Sequence, residues 1–146
     1  MMDLYLYAAK LERIVDGDSL RASLDLGMGV WLHNQNIRLY NLDTPESRTK
    51  SAEEKVFGLL AKDFLAEHIP ADRFILRTHK DKGGKYGRTL AEPIVYIPIF
   101  DREMSICEAM VQLGLGVAYT GQSKASIADQ HLANRERLLS EGKVTL

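Results

Sequence analysis

Cysteine is nearly absent from this sequence, since Cys107 is the only one among 146 residues. One thiol cannot form an intramolecular disulfide, and it cannot supply the several thiolates of a structural metal cluster. Long apolar runs are also missing, because no stretch approaches the roughly 20 residues that a membrane-spanning helix needs. The chain alone therefore cannot build a disulfide scaffold, a thiolate metal centre or a helical membrane span.

An excess of charge of one sign is lacking as well. The formal net charge is -1 and the sequence pI is about 6.4. Such a chain has no broad positive field that attracts polyanions from a distance, so nucleic-acid binding would have to be local. Residues 77–88 are the exception, with five basic residues against one acidic residue. This segment can contact phosphates.

The first residues do not have the pattern of a secretory signal. Asp3 stands where a signal peptide needs a basic residue, and the apolar run that follows is short and ends at Lys10. We expect a cytoplasmic protein, with secretion from a longer precursor as the open alternative. We also expect a monomer that has no contact with membranes.

Apolar periodicity in the remaining sequence predicts five strands and about three helices. A capping box at 51–54 begins the first helix and Pro70 stops it. The other predicted helices cover 105–113 and 125–140, and the predicted strands cover 4–15, 19–26, 30–40, 73–78 and 88–99. This order predicts an α+β fold, a five-stranded OB-type Greek-key barrel, in one domain over residues 1–146.

Asp16-Gly17-Asp18 is the first candidate for chemistry. An EF-hand is excluded, because its third ligand position falls on Leu20 and its twelfth on Gly27. A simple Asp-Gly turn explains the segment when it is considered alone. If Asp43 lies beside Asp18, however, two carboxylates and the Thr44 carbonyl can bind one hard cation together with water.

Asp43-Thr44-Pro45-Glu46 follows the third predicted strand, which carries Arg38. A loop leading into a helix is the simple interpretation, and Arg38 alone would be an ordinary surface arginine. Alternation along a regular strand would direct Arg38 and Asp43 to opposite faces. A bend or bulge near Asn41 must therefore intervene if both side chains serve one site.

These clusters, with Lys85-Tyr86-Gly87-Arg88, hold the groups that phosphodiester hydrolysis requires. Two carboxylates can bind a divalent cation, and Glu46 can orient or deprotonate water. The guanidiniums of Arg38 and Arg88 can each contact two oxygens of the charged phosphorus centre during in-line attack. The set predicts a metal-dependent phosphodiesterase.

The order of these motifs resembles that of the staphylococcal (thermonuclease) nuclease family over residues 15–131. Val117-Ala118-Tyr119 and Gln130-His131-Leu132 extend the resemblance toward the end of the chain. The resemblance implies an OB-fold, calcium-dependent endonuclease that hydrolyses DNA and RNA and leaves 3′-phosphate ends. It also implies a preference for single strands, because aromatic rings stack on bases of any sequence.

The same resemblance implies a role for each matching residue. Arg38, Glu46 and Arg88 would be catalytic, and Asp18, Asp43 and the Thr44 carbonyl would bind Ca²⁺. Lys85, Tyr86 and Tyr119 would contact the nucleotide. Gly121 stands where the family has a second tyrosine, and the family's basic net charge is missing here. Both departures imply weaker or more salt-sensitive substrate binding.

Two noncatalytic alternatives use the same barrel. One is an OB-fold module that binds nucleic acid or protein without turnover, and the other is a structural domain of a larger assembly. The remaining histidines and aromatic residues are assigned simple structural roles. His131 is expected on a helix surface or packed there, His33, His68 and His79 without metal partners, and Tyr5, Tyr7, Trp31 and Tyr40 in sheet packing.

Overall fold

A computed structural model describes residues 4–80 and 88–145 of the chain. Lys85 and Tyr86, two of the predicted nucleotide contacts, lie outside the described residues. The elements in chain order are β1 (Leu6–Asp16), β2 (Ser19–Gly27), β3 (Val30–Leu39), α1 (Ala52–His68), β4 (Phe74–His79), β5 (Thr89–Ile97), a 3₁₀ turn (Pro98–Phe100), β6 (Arg102–Ser105), α2 (Ile106–Gln112) and α3 (Lys124–Ser140).

The strands form one sheet in the order β3-β2-β1-β4-β5-β6. Parallel pairing of β3 with β5, from Ile37 opposite Thr89 to Leu39 opposite Ala91, closes β1 to β5 into a barrel. The predicted α+β fold with a five-stranded barrel and three helices is thereby confirmed. The sequence did not predict β6, because four residues are too short a run to display alternation.

Alternation along β2 separates the inside of the barrel from its outer face. Leu20, Ala22 and Leu24 are buried in the core, so Arg21 and Asp25 point to the outer face. The register of β1 and β3 extends these two faces to the neighbouring strands, because directly opposite residues project to the same side of a sheet.

Half of the predicted capping box at the start of α1 forms, because the Glu54 carboxylate accepts from the Glu46 N–H and the Thr49 hydroxyl instead of from the Ser51 N–H. The Ser51 hydroxyl accepts a hydrogen bond from the Glu54 backbone N–H at 3.3 Å. The helix ends at His68, two residues before Pro70, and buries Phe57, Ala61 and Leu65 against the barrel. No helix in the described part of the chain is long and apolar enough to cross a membrane.

Cys107 lies in the core, where burial raises the pKa of its thiol to about 12. It is therefore a neutral, unreactive side chain at physiological pH. Two aromatic residues differ from the sheet-packing expectation, since Tyr5 and Trp31 are 63% and 42% exposed. Strand propensity places an aromatic residue in a sheet but does not reveal whether anything covers its ring.

Candidate active site

Arg38 connects the two predicted metal carboxylates. Its Nη1 atom lies 3.6 Å from Asp18 Oδ2, and its Nη2 atom lies 3.9 Å from Asp43 Oδ1. Nη1 also donates to the Asp18 carbonyl at 3.0 Å. The Thr44 backbone N–H donates to Asp18 Oδ2 at 3.2 Å, which ties the two loops together. The first turn and the loop after β3 thus converge around one guanidinium.

The chain bends between Arg38 and Asp43, as the sequence required. Strand β3 ends at Leu39, and Asn41 adopts a left-handed conformation with φ 56°. Asp43 then pairs with Val117, through Asp43 N to Val117 O at 2.9 Å and the reciprocal bond at 2.8 Å. The bend reverses the side on which the chain projects its side chains, so Asp43 can face Arg38.

The loop that carries Glu46 is tightly packed against α1. A Cβ atom at Gly58 would lie 2.4 Å from the carbonyl carbon and oxygen of Glu46, and 2.6 Å from the Ser47 nitrogen. Asp16 Oδ1 holds the other side of the loop, because it accepts from the Ser47 N–H at 3.1 Å and from the Ser47 hydroxyl. The Glu46 backbone is therefore fixed, while its side chain remains exposed.

Arg88 and Tyr119 lie on the other side of Arg38. All three residues line one cleft of about 410 Å³, with Tyr40 and Leu90 in its wall. Glu46 lines a second opening of about 440 Å³, which Asp43 and Thr44 also border. Arg38 and Asp43 are in contact, so the guanidinium-lined cleft and the carboxylate-lined opening adjoin.

Comparison with known proteins identifies the family. The model of the family described as "Staphylococcal nuclease homologue" matches residues 36–146. The chain belongs to this family. Two thermonucleases, from Staphylococcus hyicus and Staphylococcus intermedius, are 32% and 30% identical over 82 and 81 residues. Each alignment covers 56% of this chain and 45% of the relative, so the chain matches about half the length of these proteins.

Asp18 lies before the span that matches the nuclease family model. Its assignment therefore depends on the structure, which connects it to Arg38 and Thr44 inside the matched span. The pairing of Ser19 with Arg38 across β2 and β3 produces this proximity. The part of this chain that precedes the matched span thus contributes the Asp18 side chain to the same site.

Helix α3 contributes two residues that sequence analysis did not assign to the site. His131 Nε2 lies 2.8 Å from Asp43 Oδ2, and Lys124 Nζ lies 2.5 Å from Asp43 Oδ1. His131 was expected on the helix surface or packed there; its side chain is packed, at 15% exposure, and its partner is a predicted metal carboxylate, which the sequence did not indicate. A spacing of seven residues puts Lys124 and His131 on one helix face, which is the signal that could have paired them.

The two carboxylates differ electrostatically. Burial raises the pKa of Asp18 above its usual value, against the opposing effects of Arg38 and the Thr44 N–H. Burial also acts to raise the pKa of Asp43, but hydrogen bonds with His131 and Lys124 outweigh it and lower that pKa. Asp18 is therefore the carboxylate that would benefit more from additional positive charge.

The donor atoms fit a hard divalent cation. No group of three His, Cys, Asp or Glu side chains within residues 4–80 and 88–145 could hold a metal ion. The oxygen donors that the sequence predicts, the Asp18 and Asp43 carboxylates and the Thr44 carbonyl, are of the chemical type that Ca²⁺ takes. Thr44 Oγ1 is a buried oxygen that makes no hydrogen bond within the described residues, so an unused acceptor lies in this loop.

Proposed function

We propose that this protein is a calcium-dependent, sugar-nonspecific endonuclease that hydrolyses DNA and RNA and prefers single strands. The observation that carries the proposal is the position of Arg38, which contacts Asp18 and Asp43 and also lines the cleft with Arg88 and Tyr119. Carboxylates for a cation, guanidiniums for a phosphate and an aromatic ring for a base are thereby adjacent. Family membership supports the same class of reaction.

Asp18, Asp43 and the Thr44 carbonyl would hold the calcium ion. When bound, the ion supplies positive charge that neutralises a nonbridging phosphate oxygen and orients the scissile group. Arg38 contacts both carboxylates and would bind the same phosphate. Asp18 gains most from this arrangement, because its burial otherwise disfavours the ionised form.

Glu46 would act on the attacking water, by orienting it or accepting its proton. The water oxygen bonds to phosphorus while the bond from phosphorus to the 5′ oxygen breaks, which leaves a 3′-phosphate and a 5′-hydroxyl. Arg38 and Arg88 would stabilise the charge that builds on the phosphoryl oxygens in the transition state. The fixed backbone of Glu46 supports its role, since its carboxylate extends from an immobilised loop.

Tyr119 would stack on a base next to the scissile phosphate, and Lys85 and Tyr86 would contact the nucleotide as further substrate residues. Stacking is tolerant of base identity and needs an unpaired base, which favours single or frayed strands. The net charge of -1 gives little long-range attraction for the substrate. We therefore propose that substrate binding depends on local phosphate contacts and is weaker or more salt-sensitive than that of a basic protein.

One observation favours a noncatalytic nucleic-acid-binding module as the second candidate. Both carboxylate oxygens of Asp43 already have partners, Lys124 at Oδ1 and His131 at Oδ2. If these contacts persist in solution, they compete with a cation for the same oxygens. The first candidate is preferred because the Lys124 side chain is 74% exposed and can turn away at little cost.

Digestion of single-stranded DNA with calcium, with and without a chelator, tests the two candidates. We expect degradation in calcium, none with chelator, and 3′-phosphate ends in the products. The variant Glu46→Gln, which keeps the shape of the side chain, serves as the matched low-activity control. Intact substrate after prolonged incubation, together with measurable binding of the same DNA, would instead support the binding module.

Replacing Lys124 by methionine is expected to tighten calcium binding about two- to fivefold, because a partly exposed ion pair contributes only about 0.5–1 kcal/mol. The substitution removes the ammonium group from Asp43 Oδ1 and keeps most of the side-chain volume. Calorimetric titration of the protein with calcium, without nucleic acid, gives the affinity directly. Lys143→Met is the matched control on an exposed lysine, and an unchanged or weaker affinity in Lys124→Met would contradict the competition.

A further inference from the structure

A continuous outer surface leads away from the candidate active site along β2 and β3. Ser19 pairs with Arg38, Arg21 with Asn36, and Asp25 with Trp31. These positions alternate with the buried residues of β2, so all of them project from the outer face of the sheet. Arg21 lies on the neighbouring strand, opposite Asn36. It is therefore about 7 Å farther along the sheet than Arg38 and projects from the same face.

Two arginines occupy directly opposite positions on this surface. Arg13 of β1 is directly opposite Arg21 of β2. Neither forms an ion pair with an acidic side chain in the described part of the chain, and like charges in opposite positions destabilise a sheet. An anion bound between the two guanidiniums would remove this repulsion.

Neutral partners hold Arg21 in place. Its Nε donates to Asn34 Oδ1 at 2.7 Å, Nη2 donates to the Asn34 carbonyl at 2.8 Å, and Nη1 donates to Asn36 Oδ1. These bonds use three of the five guanidinium N–H groups and leave two for a ligand. Arg21 is thus oriented while its charge is not neutralised, which suits a phosphate.

The far end of the surface carries a pair of aromatic rings. The rings of Trp31 and His33 are parallel within 6°, with centroids 5.9 Å apart, and Trp31 is 42% exposed. Trp31 lies seven positions before Arg38, about 20 Å along the strand, and the register shift of β3 between Leu32 and Gln35 keeps both residues on the outer face. Two acidic residues also lie on this face, Glu12, which accepts from the Ser23 hydroxyl, and Asp25, which accepts from the Gly27 N–H; neither contacts Arg13 or Arg21 within the described residues.

We infer that the outer face of β1–β3, from Arg38 past Arg13 and Arg21 to Trp31, is an accessory subsite for single-stranded nucleic acid. A strand whose phosphate lies at Arg38 continues across this face, with one phosphate between the paired arginines and a base stacked on Trp31. This inference rests on the proposed function. The length agrees with the roughly 4–16 nucleotides that single OB folds bind.

Trp31 is the only tryptophan in the chain, so its fluorescence reports on this face alone. Chelator is kept present throughout so that no strand is cleaved. We expect a twelve-residue oligothymidylate to quench Trp31 emission, and a dinucleotide, which reaches only the cleft, to leave it unchanged. Quenching by the dinucleotide to the same extent, or by anionic vesicles but not by the oligonucleotide, would overturn the inference.

Fluorescence anisotropy of a labelled twelve-residue oligothymidylate measures how much each side chain of this face contributes to binding affinity. Trp31→Ala should weaken binding about 5- to 100-fold, the usual cost of losing one stacked base, and Trp31→Phe should restore part of it. Arg21→Gln should weaken binding and reduce the salt slope by about one. Tyr96→Ala and Arg102→Gln, exposed residues on β5 and β6, are the matched controls, and equal losses in these controls would contradict a specific surface.

Hydrolysis of a small nitrophenyl phosphodiester of thymidine by the unaltered protein separates this inference from the proposed function. Such a substrate occupies only the cleft. Turnover of it without quenching of Trp31 by the long strand would refute the accessory subsite and leave the nuclease proposal standing. Quenching by the long strand without turnover would refute the nuclease and keep the surface.

Discussion

Replacing Arg88 by alanine is expected to lower kcat on single-stranded DNA about 100- to 1,000-fold, the usual loss for one preorganised transition-state donor. Arg88 and Arg38 line the same cleft, so both guanidiniums can contact one phosphate. Loss of one removes stabilisation that is greatest when charge has built up on the phosphoryl oxygens. Single-turnover rates at saturating calcium measure the effect on the chemical step.

Two further substitutions make this result specific. Arg88→Lys keeps the charge but loses the planar, two-pronged donor, so we expect it to recover only a small part of the rate. Arg102→Ala removes an exposed arginine from β6, outside the cleft, and should leave kcat unchanged. An unchanged rate in Arg88→Ala would remove this residue from the mechanism, and a rise in KM alone would assign it to ground-state binding.

Gly58→Ala is expected to reduce activity strongly although Gly58 has no chemical group to offer. Its new Cβ atom would lie 2.4 Å from the Glu46 carbonyl, a contact that neither backbone can tolerate. Either α1 or the Glu46 loop must shift, and overpacking of this kind costs about 1–3 kcal/mol of unfolding free energy. A shift near 1 Å in a catalytic group can reduce a rate about 100-fold.

A double-mutant cycle shows whether Gly58 acts through Glu46. If it does, Gly58→Ala should add little to the loss in kcat already caused by Glu46→Gln, because both changes remove the same function. Urea denaturation of each variant measures the change in its unfolding free energy separately. Additive losses in kcat, or a large fall in stability with unchanged kcat, would show that the packing of α1 on this loop does not position Glu46.

The strands of the barrel were largely predictable because alternation and turns are local signals, and the order of the elements then indicated the barrel. Even the bend at Asn41 followed from the sequence, since Arg38 and Asp43 could share a site only if the strand pattern ended between them. The four-residue strand β6 was not predicted because it has too few residues to show alternation. Its pairing with β5, through Ile94 to Ser105 and Ile97 to Arg102, is a tertiary property.

Contacts between distant segments could not be predicted in the same way. Asp43 meets Lys124 and His131 across 81 and 88 residues, and their approach depends on how α3 docks on the barrel. A histidine on a polar helix is usually solvated, which is why His131 was assigned to the surface. The exposure of the Trp31 ring was not predicted for a similar reason, because β propensity does not reveal which face of a sheet remains uncovered.

Closure of the barrel is required for the candidate active site to form. The β3–β5 seam joins segments about fifty residues apart, and Arg38 and Leu90 are directly paired across it. Pairing across such a separation requires the loss of the entropy of the intervening loop, a cost that a local hairpin does not have. A chain in which this seam is open has both arginines but no shared cleft, so the candidate site is complete only in the closed barrel.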